Sequence, residues 1–274
     1  MSLPFRAIGL GGGGVKGILH VGALLELAKH QELKFPDGIY GCSIGSIVAT
    51  YVAFELPIQS IVPLMKEYLS IDHITPKINL EHISNVFSTK GLYPMTSFES
   101  SIVEMFEQAG LNIRDKTIGQ AHMPLYIVSS NITKGIPTIF SKDISLIDAL
   151  KCSCCIPGIF RPIDLYGNLY VDGDLFTPCI SMLMPKQSFG ISLLKQRKHS
   201  ITPSLLRSMS PIAYLEELHI MSSRLFQTAS LTENTLSLSY PNLQSTSDLK
   251  DFNTEDILEK AGLLLNDFIS KRSS

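Results

Sequence analysis

Ser43 stands in Gly41-Cys42-Ser43-Ile44-Gly45, a spacing that sets one nucleophilic hydroxyl between two residues without side chains. It suits a sharp turn from strand to helix, where a Cβ two residues before or after the serine would strike the neighbouring strand. The flanks agree: residues 38–40 read as the end of a buried strand, and residues 46–54 as a compact apolar helix. Upstream, Gly11-Gly12-Gly13-Gly14-Val15-Lys16-Gly17 follows a short strand over residues 5–10 and opens a helix over residues 18–29. Free N–H groups at the positive end of a helix are suited to holding a developing negative charge, and Lys16 would add positive potential beside them. The chemistry this pair of motifs predicts is attack of Ser43 on a carbonyl carbon, with the amides of Gly12, Gly13 and Gly14 receiving the oxyanion.

Two other readings of the glycine loop fail on its surroundings. Gly12-x-Gly14-x-x-Gly17 also matches a dinucleotide-binding loop, but the end of the second strand carries Cys42 and Ser43 where a ribose-binding acid is needed. A Walker loop needs Lys-Ser or Lys-Thr after its last glycine, whereas Lys16 precedes Gly17. The elements that must position the two motifs are a strand, a helix and a second strand. A right-handed crossover between parallel strands puts both carboxyl ends on one sheet edge, so the glycine amides and Ser43 are predicted to meet there.

The Gly-rich stretch at 11–17 followed by Gly-Cys-Ser-Ile-Gly at 41–45 resembles the patatin-like phospholipases. The resemblance implies an α/β fold, a mainly parallel sheet flanked by helices with the nucleophile elbow after the second strand. It also implies hydrolysis of fatty-acyl esters of phospholipids or other glycerolipids by a Ser-Asp dyad, with no cofactor and no metal, and an Asp-Gly-Gly or Asp-Gly-Ala motif holding the aspartate. Residues 145–162 resemble the family's helix and its Ser-Ile-Pro-Gly-x-Phe segment, with Cys155 where serine is usual. Asp172-Gly173-Asp174 then ends a strand over residues 169–171. Read alone, Asp172 is a turn aspartate before glycine. The resemblance makes it the base that accepts the Ser43 proton, with Gly173 letting the chain turn away. Asp174 departs from the family's small residue, and Thr177-Pro178 stands where Asn-x-Pro is common. A Ser-His-Asp order would instead use His199 or His219, and a noncatalytic lipid-binding module is the reading from a different class. His20, on the apolar helix after the glycine loop, is expected to be a packed core residue.

The rest of the chain bounds these readings. A content of 45% hydrophobic and 18% charged residues describes a globular chain with a substantial core, and one unit over residues 1–274 is expected, its motifs within residues 5–185 and further strand and helices over residues 186–274. Further strands are predicted near residues 124–130, 138–141 and 188–194, and helices over 58–69, 96–109, 145–155, 215–227 and 255–269. Residues 71–93 read as irregular, either a lid or a plain connection. The net charge of −2 offers nothing to nucleic acid, and the oligomeric state is not set by the sequence. Five cysteines, an odd number, suggest a reduced cytoplasmic chain, and no signal peptide or membrane-spanning stretch is read. A metal site from Cys152, Cys154 and Cys155 lacks tetrahedral ligand spacing, and an Asp-x-Asp site from Asp172 and Asp174 with Asp164 is conceivable but has nothing in its favour. Between Asp174 and Glu216 every charged residue is basic, which allows either peripheral contact with an anionic membrane through Lys195, Arg197 and Lys198 or a plain solvated loop.

Overall fold

The computed structural model describes residues 4–77, 79–185, 188–194, 202–210, 231–240 and 253–273, with isolated residues between 214 and 243. The chain opens with β1 (Ala7–Leu10), α1 (Gly17–Leu27), β2 (Gly38–Cys42) and α2 (Ile44–Ala53). Every residue of β1 and β2 is buried, as continuous apolar strands covered on both faces must be. Helix α1 is buried nearly all round because α2 and the last helix, α9 (Thr254–Ser273), pack on it. There Gly22 lies so close to Leu258 that a Cβ would stand 2.5 Å from its carbonyl oxygen.

Helices α3 (Ile61–Tyr68), α4 (Ile71–Ile74) and α5 (Leu80–Thr89) lead to β3 (Gly91–Tyr93) and α6 (Thr96–Gln108). The stretch 71–93 is thus more regular than its sequence suggests. Asn79, read as a breaker, caps α5: its side chain accepts from the His82 N–H, and the His82 ring accepts in turn from the Asn79 N–H. Next come β4 (Leu125–Asn131), β5 (Ile136–Phe140), α7 (Leu146–Ser153), β6 (Gly158–Phe160), β7 (Ile163–Leu165), β8 (Asn168–Asp172) and β9 (Phe189–Leu193). A short helix, α8 (Pro203–Ser208), and β10 (Thr235–Leu238) precede α9, whose first turn Asn253 caps. The predicted helix over residues 215–227 lies largely outside the described residues. Strands β7 and β10 are too short to carry a readable period, and neither was expected from the sequence.

Strands β10, β9, β1, β2 and β4 run parallel, in that spatial order. Beyond them the sheet turns antiparallel. Strand β5 pairs with Ile127–Asn131 of β4, which occupies one edge of that strand. Strand β2 pairs with Leu125–Val128 and β8 with Ser129–Asn131, so both must use the other edge. Consecutive partners there are Cys42 opposite Val128 and Asp172 opposite Ser129. Two strands running in opposite directions therefore meet head to head along β4, one ending just before Ser43 and the other at Asp172. The expectation that Asp172 ends a strand holds, but that strand enters from the opposite side of the sheet.

The main core lies between the sheet and α1, α2, α6, α7 and α9. The other face is covered in part by a 3-10 turn at Ile180–Leu183, where Ile180 packs with Tyr40, Cys42 and Val128. Strand β9 is parallel to β1, so the chain leaves it on the same edge as Ser43. Lys195, Arg197 and Lys198, which follow, lie outside the described residues.

Candidate active site

Ser43 is the N-cap of α2 and has φ 52° and ψ −129°. This is a backbone region that glycine occupies freely and other residues enter only under constraint, typically at a cost of about 1–3 kcal/mol. The two glycines of the motif remove the obstacles to that turn. A Cβ on Gly45 would stand 2.0 Å from the Leu10 carbonyl oxygen at the end of β1, and one on Gly41 would stand 2.4 Å from the Ser46 Cα of the following helix. Gly41 is thus required by the helix its own strand leads into, whereas Gly45 is required by the neighbouring strand. The Ser43 carbonyl accepts from the Ser46 amide at 2.8 Å and from the Ser46 hydroxyl at 2.6 Å, which closes the turn.

The Ser43 hydroxyl donates to Asp172 Oδ2 at 2.6 Å. Ser43 is 8% exposed and Asp172 1%, so the bond is sheltered. The other carboxylate oxygen, Oδ1, accepts the Asp174 N–H at 2.9 Å, and the Asp172 N–H donates to the Cys155 carbonyl at 2.7 Å. Gly173 makes the close approach possible: its φ is not positive, but a Cβ would stand 2.4 Å from the Val128 carbonyl oxygen and 2.8 Å from Cys42 Sγ. Its role is therefore steric room at the strand junction.

The glycine loop lies against this turn, since Gly45 would also meet the Gly11 carbonyl oxygen at 2.7 Å. Gly11 donates to the Ile191 carbonyl of β9, and its own carbonyl accepts from His20 Nε2 at 2.8 Å. Burial pushes the His20 imidazole down to about 4, so at neutral pH it is uncharged. A carbonyl can only accept, which puts the single ring proton on Nε2. His20 is indeed a packed residue, and it also fixes the Gly11–Gly12 peptide plane. No hydrogen bond from the Gly12 or Gly13 amide occurs among the described residues. Gly14 has φ +56° and open space around it, while Gly17 lies beneath Ile44, within 2.3 Å of where a Cβ would be. The buried Lys16 sends its ammonium to the Leu194 carbonyl at 3.1 Å, which ties the loop to the end of β9.

Asp174 is buried, and its carboxyl group packs on Gly12, with Cγ 3.0 Å and Oδ1 3.1 Å from the position a Cβ would take. A residue that departs from the family motif thus touches the glycine loop directly. Asp164 accepts from the Gly167 N–H in the β7–β8 turn, away from the other two aspartates. Among the described residues no group of three His, Cys, Asp or Glu side chains could hold a metal ion. All five cysteines are free and buried. Cys152 and Cys155 have the spacing of a redox pair, but burial pushes the Cys152 thiol up to about 12 and that of Cys155 well above its ordinary value, against thiolate chemistry. His199 and His219 lie outside the described residues.

One contact was missed in the sequence. The Ser43 N–H donates to the Ser153 hydroxyl at 2.8 Å, and that hydroxyl donates to the Val128 carbonyl at 2.6 Å. A serine at the last position of α7, next to Cys152 on its buried side, is the only trace of it in the chain.

A serine hydroxyl aimed at a buried carboxylate, beside unoccupied amides at the start of a helix, can deliver an alkoxide to a carbonyl carbon and hold the resulting oxyanion. Uncharacterized protein R571 of Acanthamoeba polyphaga mimivirus is 29% identical over 173 residues, which are 61% of this chain and 57% of that protein. Lysophospholipase NTE1 of Kluyveromyces lactis is 27% identical over 175 residues, 63% of this chain and 11% of that protein. The chain therefore spans little more than half of the viral relative and a small part of the lysophospholipase. The crystal structure of VipD from Legionella pneumophila superposes with a TM-score of 0.52 at 14% identity, covering 97% of this chain and 68% of that one, a likeness of fold. Among the described residues no helix is long and apolar enough to cross a membrane. The model of the family described as Patatin-like phospholipase matches residues 9–181, well over half of the chain, and the chain belongs to that family.

Proposed function

We propose that this chain is a lipid acyl hydrolase working through a Ser43–Asp172 dyad. The observation that carries the reading is the 2.6 Å bond between the two side chains at a buried strand junction. As Ser43 Oγ attacks the ester carbonyl carbon, its proton passes to Asp172 Oδ2, and the oxyanion is held by the amides of Gly12, Gly13 and Gly14. Collapse of the tetrahedral adduct breaks the bond to the leaving alkoxide, which takes the proton from Asp172. Water then attacks the acyl-enzyme, gives a proton to Asp172, and the second collapse returns it to Ser43.

A triad would place an imidazole between serine and carboxylate, so the direct bond between the two side chains favours the dyad. The Asp174 N–H on Oδ1 fixes the carboxylate plane and leaves Oδ2 for the Ser43 proton. The family's description and the lysophospholipase relative favour a phospholipid or lysophospholipid as the acyl donor. Wild-type protein should be labelled covalently by a fluorophosphonate and should release fatty acid from a mixed phospholipid extract, with products read by mass spectrometry. Ser43→Ala should do neither. Failure of the wild type to label would leave a lipid-binding module as the better reading.

A further inference from the structure

The backbone ladder between β2 and β4 is interrupted at one rung, and the interruption falls on the nucleophile. In a parallel pair, N–H groups of alternate residues face the same neighbour. On β2 those facing β4 begin with Ile39, whose N–H donates to the Pro124 carbonyl at 2.8 Å. The register Ile39 to Leu125 and Gly41 to Ile127 continues the series, and the next rung would run from the Ser43 N–H to the Val128 carbonyl. That rung is absent. In its place the Ser43 N–H donates to Ser153 Oγ at 2.8 Å, and Ser153 Oγ donates to the Val128 carbonyl at 2.6 Å. One hydroxyl has entered the ladder, using its single proton toward the carbonyl and a lone pair toward the amide.

This inserted oxygen does what neither a direct rung nor an empty gap can do. A direct bond would hold residue 43 in the extended conformation of the strand. An empty gap would strand a buried donor and a buried acceptor, each costing about 1–3 kcal/mol. With the hydroxyl in place, both groups are satisfied while the chain leaves the strand at φ 52°. Ser153 is itself fully buried at the end of α7. A second serine anchors that helix end, because Ser129 Oγ donates to the Cys152 carbonyl at 2.9 Å.

We propose that Ser153 is a positioning residue for the nucleophile: its hydroxyl, standing in the ladder between Ser43 and Val128, holds the Ser43 peptide in the left-handed geometry that aims Oγ at Asp172. The consequence for turnover rests on the hydrolase reading above, whereas the consequence for the Ser43 amide does not. In the full chain, Ser153→Ala should lower kcat on a short monomeric ester by about 100-fold, the scale of a misplaced reacting group, with KM little changed. Ser153→Thr, which keeps the hydroxyl on the same Cβ, should restore most of the loss. Hydrogen exchange resolved by residue should show the Ser43 amide accelerated in Ser153→Ala more than the Gly41 amide on the same strand, and close to wild type in Ser153→Thr. Should Ser153→Ala not accumulate folded, Ser153→Cys keeps the shape while weakening both bonds and is read in the same way. Equal acceleration at Gly41 and Ser43 would overturn the proposal, as would a folded Ser153→Ala or Ser153→Cys with unchanged kcat. If the wild type itself turns nothing over, the hydrolase reading fails and the exchange comparison still decides the role of Ser153.

Discussion

The two strands that meet on one edge of β4 are built differently. Strand β2 is buried along its whole length, lies between two parallel partners, and delivers Ser43 through backbone geometry that glycines make possible. Strand β8 is the inner arm of a hairpin whose outer half is open to solvent, and only Tyr170–Asp172 are buried. Its end is fixed by individual bonds: Ser130 Oγ to the Gly173 carbonyl at 3.2 Å, and the Asp172 N–H to the Cys155 carbonyl at 2.7 Å. Ser43 is thus held by a strand paired on both sides, and Asp172 by a few polar contacts at the strand junction. Changes on the β2 side should act on folding, and changes on the β8 side on activity with the fold preserved.

The largest expected effect lies on the carboxylate. Asp172→Asn keeps the shape of the side chain but removes the proposed base, and kcat should fall by about 10⁴-fold with the thermal midpoint little changed. Because the two groups act as one unit, Ser43→Ala combined with Asp172→Asn should be no less active than the worse single variant. Steady-state kinetics on the three proteins checks this, and a multiplicative loss would separate the two residues. On the other side of the junction, Gly45→Ala must displace the Leu10 carbonyl. It should cost about 3 kcal/mol or more, read as a lowered denaturant midpoint, because the crowding is against backbone.

His20 gives the buried side a pH signature. Its folded value of about 4 lies below the unfolded value of 6.5, so as pH falls through that window the unfolded chain takes up a proton that the folded chain refuses. Stability is complete above about pH 6.5 and declines toward pH 4, by roughly 3 kcal/mol from this group. Denaturant midpoints of wild type and His20→Gln across that range should converge as pH falls; a constant difference would remove His20 as the cause. The smallest effect belongs to the hairpin tip. Tyr166 is exposed and has φ 52°, followed by Gly167 at φ 75°, a pair of left-handed residues that asparagine and glycine fill best. Tyr166→Asn should raise stability by about 0.5 kcal/mol and leave kcat untouched, measurable as a small shift of the thermal midpoint.

The parts legible in the sequence are those where backbone demands specific residues. Gly41, Gly45 and the Gly12–Gly14 run mark turns that other residues cannot make, and a short crossover joins them, so the neighbourhood of Ser43 and the loop follows from local pattern. Asp172 depended on resemblance, because its approach to Ser43 arises from the register of β8 on β4, a pairing between residues 39 to 43 apart in sequence. Ser153 was hidden for the same reason: its partners, Ser43 and Val128, lie 110 and 25 residues away. Residues 71–93 misled in the opposite direction, since Asn79 breaks one element only by starting the next.

Residues beyond 181 fall outside the family match, yet β9 lies along β1, and α9 is pressed against α1 at Gly22. A chain cut after residue 185 would leave the Ile8–Leu10 edge of β1 without its neighbour and the outer face of α1 without its cover. An open, apolar strand edge recruits other strands, so the shortened protein, though it holds the whole family match, is expected to aggregate.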